Sequence, residues 1–150
     1  MARIYHTFGA DTNTATTTIL GLTSAATIRP CVFDLILSSD ATPADNAGNY
    51  SLKRYTAAGT ATAVTPVALD PGDPASLAAS GKAHTVEPTY TAASDVLGPF
   101  AVNQRPTFRW VAYPEREIKL PATAANGVGL LVNGIAGSAV NVLVDIHYVE

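Results

Sequence analysis

The sequence predicts an all-β chain, an antiparallel β-sandwich of jelly-roll type, on three observations. From Ala139 to Glu150 one face is wholly apolar, with Val140, Val142, Val144, Ile146 and Tyr148, while Asn141, Asp145 and His147 share the other with Leu143 and Val149. A side-chain period of two over that length is a strand with one face on an apolar core. β-branched residues fill that face, as a packed pleated surface prefers. Short apolar runs of the same kind recur along the chain, separated by Gly, Pro, Asn and Asp at the spacing of a sandwich. No stretch carries a sustained helical period.

Arg3 to Phe8 reads as a short strand, with Ile4, His6 and Phe8 alternating against Arg3, Tyr5 and Thr7, and Asp11 to Asn13 ends it. Thr14 to Leu22 resumes as a Thr-rich β segment. Thr27 to Ser39 is a strong strand with Cys31, Phe33, Leu35 and Leu37 on one side and Val32, Asp34, Ile36 and Ser38 on the other. Pro30 marks its start as a bulge or edge, since proline donates no ladder hydrogen bond. Asp40 to Gly48 is loop. Tyr50 to Ala57 is a strand, with Tyr50, Leu52 and Arg54 opposed to Ser51, Lys53 and Tyr55, and a shorter one follows from Ala61 to Leu69. Asp70-Pro-Gly-Asp-Pro74 is a tight turn, after which Ala75 to Ala79 is read as a helical turn. His84 to Thr91 is extended, and Asp95 to Gln104 irregular, bent at Gly98-Pro99. Arg105 to Tyr113 is the second strong strand, with Phe108, Trp110 and Ala112 opposite Thr107, Arg109 and Val111. Glu117 to Leu120, a hairpin dipeptide at Asn126-Gly127, Val128 to Val132, and turns at Asn133-Gly134 and Gly137-Ser138 lead to the closing strand.

The 150 residues form one domain by size, with residues 1–22 as an edge segment or arm. Hydrophobic residues make up 47% and charged residues only 14%, so the surface has little charge to cover it. Two readings of that deficit stay open: a surface covered by partners, or a Thr- and Ala-coated extracellular-type β-domain. A net charge of −3, with nine scattered Lys and Arg, opposes nucleic-acid binding, which needs a clustered basic patch. The single cysteine, Cys31, excludes an internal disulfide framework and reads as a small buried hydrophobe. Met1-Ala-Arg-Ile-Tyr-His lacks the apolar core of a signal peptide, and no run reaches the ~20 apolar residues of a membrane helix. Synthesis and assembly in the cytoplasm of the producing cell, with no membrane partner, is the expectation.

No constellation announces a reaction. His6, His84 and His147 lie far apart, without metal-ligand spacing to a cysteine or carboxylate, and His147 and Asp145 are i, i+2 neighbours on one strand face. Asp70 and Asp73 supply too few oxygens for a calcium loop. The serines lack a G-x-S-x-G elbow, and Gly127-Val-Gly129 lies in a strand-rich segment with no helix to complete a phosphate cradle. No cofactor, no metal and no enzymatic turnover are expected. Trp110 and Phe108 on one strand face read as core, and Arg105 and Arg109 as solvated.

Pro99-Phe-Ala-Val-Asn-Gln-Arg-Pro-Thr-Phe-Arg-Trp-Val-Ala112, then Glu117-Ile-Lys-Leu-Pro-Ala-Thr-Ala-Ala-Asn-Gly-Val-Gly-Leu130 and the valine-rich closing strand, resemble the jelly-roll cement or decoration proteins on the capsids of tailed bacteriophages. The resemblance covers mainly the last third of the chain. It implies a structural protein on the outer capsid surface that forms a homo-oligomer, a trimer or a dimer, and bridges subunits of the major capsid protein. No catalytic motif comes with it. Tyr50, Arg54, Tyr55 and Arg109, of residue types enriched at interfaces, and Arg3, Tyr5, Phe8, Ile19 and Leu22, in the Thr-rich edge segment that can pair along a neighbouring chain, are the candidate contacts. The alternative is a jelly-roll receptor- or carbohydrate-binding module of a phage fibre, which needs a solvent-facing aromatic; Trp110 is the sole tryptophan.

Overall fold

The closing strand lies at the centre of a sheet, as its alternation requires. In the computed structural model, which describes residues 2–13, 16–135 and 139–150, β12 (Asn141–Val149) is flanked by β1 (Ile4–Thr12) and β3 (Cys31–Asp40). Val140, Val142, Val144, Ile146 and Tyr148 are all buried in the core. Each such burial contributes roughly 1.5–3 kcal/mol relative to exposure, which makes this strand the main anchor of the sheet.

The described residues form two antiparallel six-stranded sheets and no helix. The first runs β10 (Ile118–Lys119), β3, β12, β1, β6 (Val67–Ala68), with β9 (Phe108–Val111) also paired to β3. The second runs β5 (Thr60–Val64), β7 (Ala79–Val86), β2 (Thr18–Thr23), β11 (Gly127–Ile135), β4 (Ala47–Ala57), β8 (Thr89–Asn103). The sheets pack face to face as a β-sandwich. Leu20, Leu22, Leu52, Val128 and Leu130 of one sheet meet Tyr5, Val32, Leu35, Leu37 and the β12 face of the other in a single core.

Local chemistry moved several elements from where the sequence alone puts them. The segment from Arg3 to Leu22 is no arm. It supplies two integral strands: β1 pairs along its whole length with β12, and β2 lies between β7 and β11. Edge character survives only on the outer side of β1, where β6 covers Tyr5 and His6 alone among the described residues. Ala75 to Ala79 makes no helical turn, because the Glu150 carboxylate accepts from the Leu77 and Ala78 N–H groups at 3.1 and 2.9 Å and from the Ser76 hydroxyl at 2.5 Å. Asp95 to Asn103 is strand, irregular only through repeated register shifts against β4. Asn126-Gly127 is no hairpin turn. Gly127 opens β11, and a Cβ there would sit 2.2 Å from the Leu22 carbonyl oxygen and 2.5 Å from the Tyr55 ring. Asn133-Gly134 lies inside β11 at a register shift, and Gly137-Ser138 falls outside the described residues.

A bulge in β3 matters most. His147 pairs with Asp34 while Tyr148 pairs with Val32, so Phe33 is the extra residue. Beyond it Leu35 and Leu37 still face the core, but Val32 replaces Phe33 as their buried companion. Cys31 is half-buried rather than core, its Sγ 3.4 Å from the Arg29 carbonyl oxygen.

Candidate functional site

The outer face of the first sheet concentrates the chemistry of this chain. Strand pairing lays its residues in rows. Val67 on β6 pairs with His6 on β1, His6 with His147 on β12, His147 with Asp34 on β3, and Asp34 with Val111 on β9. The next row runs Phe8, Asp145, Ile36, Arg109 across four of the same strands. The inward-pointing residues of β12 are Val142, Val144, Ile146 and Tyr148, so its register leaves Asp145 and His147 on the outer face.

The His6 and His147 rings stack at 5.6 Å, and His6 also stacks on Phe8 at 6.0 Å. His6 Nδ1 lies 3.3 Å from Asp145 Oδ1. One donor atom from each of His6, Asp145 and His147 falls within 4.8 Å of the other two. On the β3 side, Asp34 is buried and accepts two hydrogen bonds from Arg109, from Nε at 3.0 Å and from an Nη at 2.6 Å. That fork is the bidentate carboxylate geometry only arginine supplies. Those bonds, and then the charge of Asp34, hold the Arg109 guanidinium above its ordinary range. His147 Nδ1 is sealed from solvent without a hydrogen bond, and Asp34 Oδ2 is 3.8 Å from it.

Around the polar group the face is apolar and open. A shallow depression is lined by His6, Phe8, Gly9, Ile36, Leu143 and Asp145 among others, with Phe8 53% exposed and Leu143 36%. Ile4, Val67 and Val111 add exposed apolar surface on β1, β6 and β9.

Of the contact residues expected from the sequence, only part is available to a partner. Tyr5, Ile19, Leu22, Tyr50 and Tyr55 are buried within the chain itself, because their strands are central and their bulk fills the sandwich or the glycine-lined surface of the second sheet. The Tyr5 hydroxyl donates to the Pro74 carbonyl at 3.0 Å, and Tyr55 shares a 2.7 Å hydrogen bond with Thr23. Arg54 is half-buried and donates to the Lys119 carbonyl at 3.0 Å, bridging the two sheets. Arg3 is exposed, 3.8 Å from Asp73. Phe8 and Arg109 reach the same outer face as His6 and Asp145. Trp110 is half-buried and packs against the core.

Reading by spacing missed the joining of His6 to Asp145 and His147. The only local signal is that β1 and β12 each carry a histidine on the same alternation as exposed apolar residues. No family model, curated protein or solved structure matches the chain.

Proposed function

We propose that this chain is a structural binding protein of the capsid-decoration kind, which seats on the outside of a phage head and bridges major capsid subunits. The observation that carries the reading is the open apolar band of Phe8, Ile36 and Leu143 on the outer face of the first sheet. A face of this kind stabilises an assembly by being covered, and binding to the assembled state alone adds its free energy to the shell. Repetition over a lattice raises the effective concentration of each contact. The low charged fraction is compatible, as is the resemblance in Pro99 to Leu130.

Strand order supports the jelly-roll form of the sandwich. β1, β12, β3 and β9 lie side by side in one sheet and β2, β11, β4 and β8 in the other, so the chain passes between sheets and its last strand returns beside its first. β5 to β7 are then an insertion that widens the second sheet beyond β2 and adds β6 to the first. Homo-oligomerisation as a trimer or dimer belongs to the same reading, with closed symmetry hiding apolar surface. The glycan-binding alternative needs a solvent-facing aromatic with carboxylates and amides nearby; Trp110 is half-buried against the core, which removes the sole tryptophan from that role, while Phe8 and Tyr113 are exposed.

Native mass measurement and negative-stain imaging, of the protein alone and mixed with purified heads of its phage, test the proposal. Ordered extra density on the heads supports it. A strict monomer at micromolar concentration that never binds heads and binds a glycan instead overturns it.

A further inference from the structure

We propose that His6, Asp145 and His147 form a binding site for a divalent transition-metal ion of the zinc type on the outer face of the first sheet. The register is what builds it. His6 and His147 sit directly opposite each other on β1 and β12, and Asp145 is two residues before His147 on the same face. Two imidazoles and one carboxylate are a donor set suited to zinc, nickel or cobalt and poorly suited to calcium or magnesium, which take oxygen ligands.

Distances favour the same reading. Bonds of about 2.0–2.1 Å in tetrahedral geometry separate two ligand atoms by roughly 3.4 Å. His6 Nδ1 and Asp145 Oδ1 already stand at 3.3 Å, and all three donors lie within 4.8 Å, so rotation of the stacked His6 and His147 rings toward a common point closes the set. All three side chains are partly exposed, at 25% for His6, 31% for Asp145 and 20% for His147, which leaves an entry path and an open coordination position for water.

The surroundings supply what a bound imidazole needs on its far side. A metal-ligating histidine turns its other nitrogen to a carboxylate or carbonyl, which holds the ring and its tautomer. His147 Nδ1 is buried, has no hydrogen-bond partner and faces Asp34 Oδ2 at 3.8 Å. Asp34 is itself fixed by the two-pronged contact from Arg109. That leaves Nε2 of His147 for the metal, with Asp34 and Arg109 as positioning residues. A simple His6–Asp145 ion pair explains neither the second histidine nor the sealed, unpaired Nδ1.

The site shares the outer face of the first sheet with the capsid reading but does not rest on it, and its test uses the isolated full chain without particles. Zn²⁺ is titrated calorimetrically, and metal retained after gel filtration is measured by mass spectrometry. Co²⁺ loading adds a visible absorption band as a signature of the ligand set. Stoichiometric uptake with a raised Tm is expected. His6→Ala and Asp145→Asn abolish that uptake and the cobalt band while circular dichroism stays that of a folded sheet. Asp34→Asn weakens it by about tenfold. His84→Ala leaves it unchanged, because His84 lies on the second sheet with Nδ1 3.1 Å from the Thr18 carbonyl oxygen. Should His147→Ala fail to fold, the two more exposed ligands still decide the matter. Absence of stoichiometric uptake, or uptake that survives His6→Ala, overturns the proposal.

Discussion

Asn13 donates from Nδ2 to the Tyr50 hydroxyl, 3.1 Å away, and so ties the end of β1 in one sheet to β4 in the other. Its Oδ1 accepts from the Val140 N–H at 2.7 Å, and its own N–H donates to the Val140 carbonyl at 3.0 Å. Asn13 is fully buried, so water replaces none of these bonds. One short side chain thereby joins the first strand, the last strand and the opposite sheet.

Asn13→Ala leaves the Tyr50 hydroxyl and the Val140 N–H without partners, at a cost of about 3 kcal/mol. Tyr50→Phe orphans only the Asn13 amide and costs about 1–2 kcal/mol. Urea unfolding reads both as a lowered midpoint with an unchanged slope.

Gly127→Ala and Gly134→Ala part company. At Gly127 the new methyl meets the Leu22 carbonyl oxygen and the Tyr55 ring, whereas at Gly134 nothing lies within 4 Å. Overpacking against backbone costs about 1–3 kcal/mol or more, so Gly127→Ala lowers Tm sharply. Gly134→Ala is neutral or slightly stabilising, since alanine loses less backbone entropy in a strand. Thermal unfolding of the pair checks the contrast.

Stability falls at high pH. Burial pushes the Tyr55 phenol from 10.0 up to about 12, against the lowering effect of its hydrogen bond with Thr23. The unfolded phenol therefore loses its proton first, so stability is whole below about pH 10 and declines as pH rises toward about 12. Tyr90 and Tyr148 are raised for the same first reason, burial, and add to the slope. One such group contributes up to about 1.4 kcal/mol per pH unit over its window. Denaturant midpoints measured through that range should fall, and fall less steeply in Tyr55→Phe.

Deleting residues 3–22 yields an unfolded chain rather than a trimmed sandwich. The deletion removes β1 and β2, and with them Tyr5, Ile19, Leu20 and Leu22 from the core. A circular dichroism spectrum without strand signal is the expected result. A folded product would mean that the two strands are dispensable.

If the outer face of the first sheet docks on a capsid, Phe8→Ser weakens head binding by roughly tenfold, from about 1.5 kcal/mol of apolar burial, with Tm nearly unchanged. Leu143→Ser acts in the same direction. Binding should respond weakly to salt, because the contacts are mainly apolar. Co-sedimentation at two ionic strengths measures both effects, and unaltered occupancy of the Phe8 variant removes this face from the interface.

Strand identity was legible wherever alternation was unbroken. Val140, Val142, Val144, Ile146 and Tyr148 recur at every second position, and a period of two is a local property that needs no knowledge of neighbours. Turn chemistry at Asp70-Pro-Gly-Asp73 was equally local: the Asp70 side chain accepts from Gly72 N–H at 2.8 Å, and its carbonyl from Asp73 N–H at 3.0 Å. Pairing decided everything else. The bulge at Phe33 is set by what β3 meets in β12, and it is invisible in a strand whose own alternation looks regular. Tyr55 reads as surface by its alternation against Leu52. It is buried because Gly127 on the adjacent β11 and Gly21 on β2 beyond it leave room for its ring and hydroxyl. His6 and His147 stand at opposite ends of the sequence, and only the antiparallel pairing of first strand to last puts their rings together. A sequence states which side chains share a face of one strand; which faces become neighbours depends on register, and register is a property of the whole packed sheet.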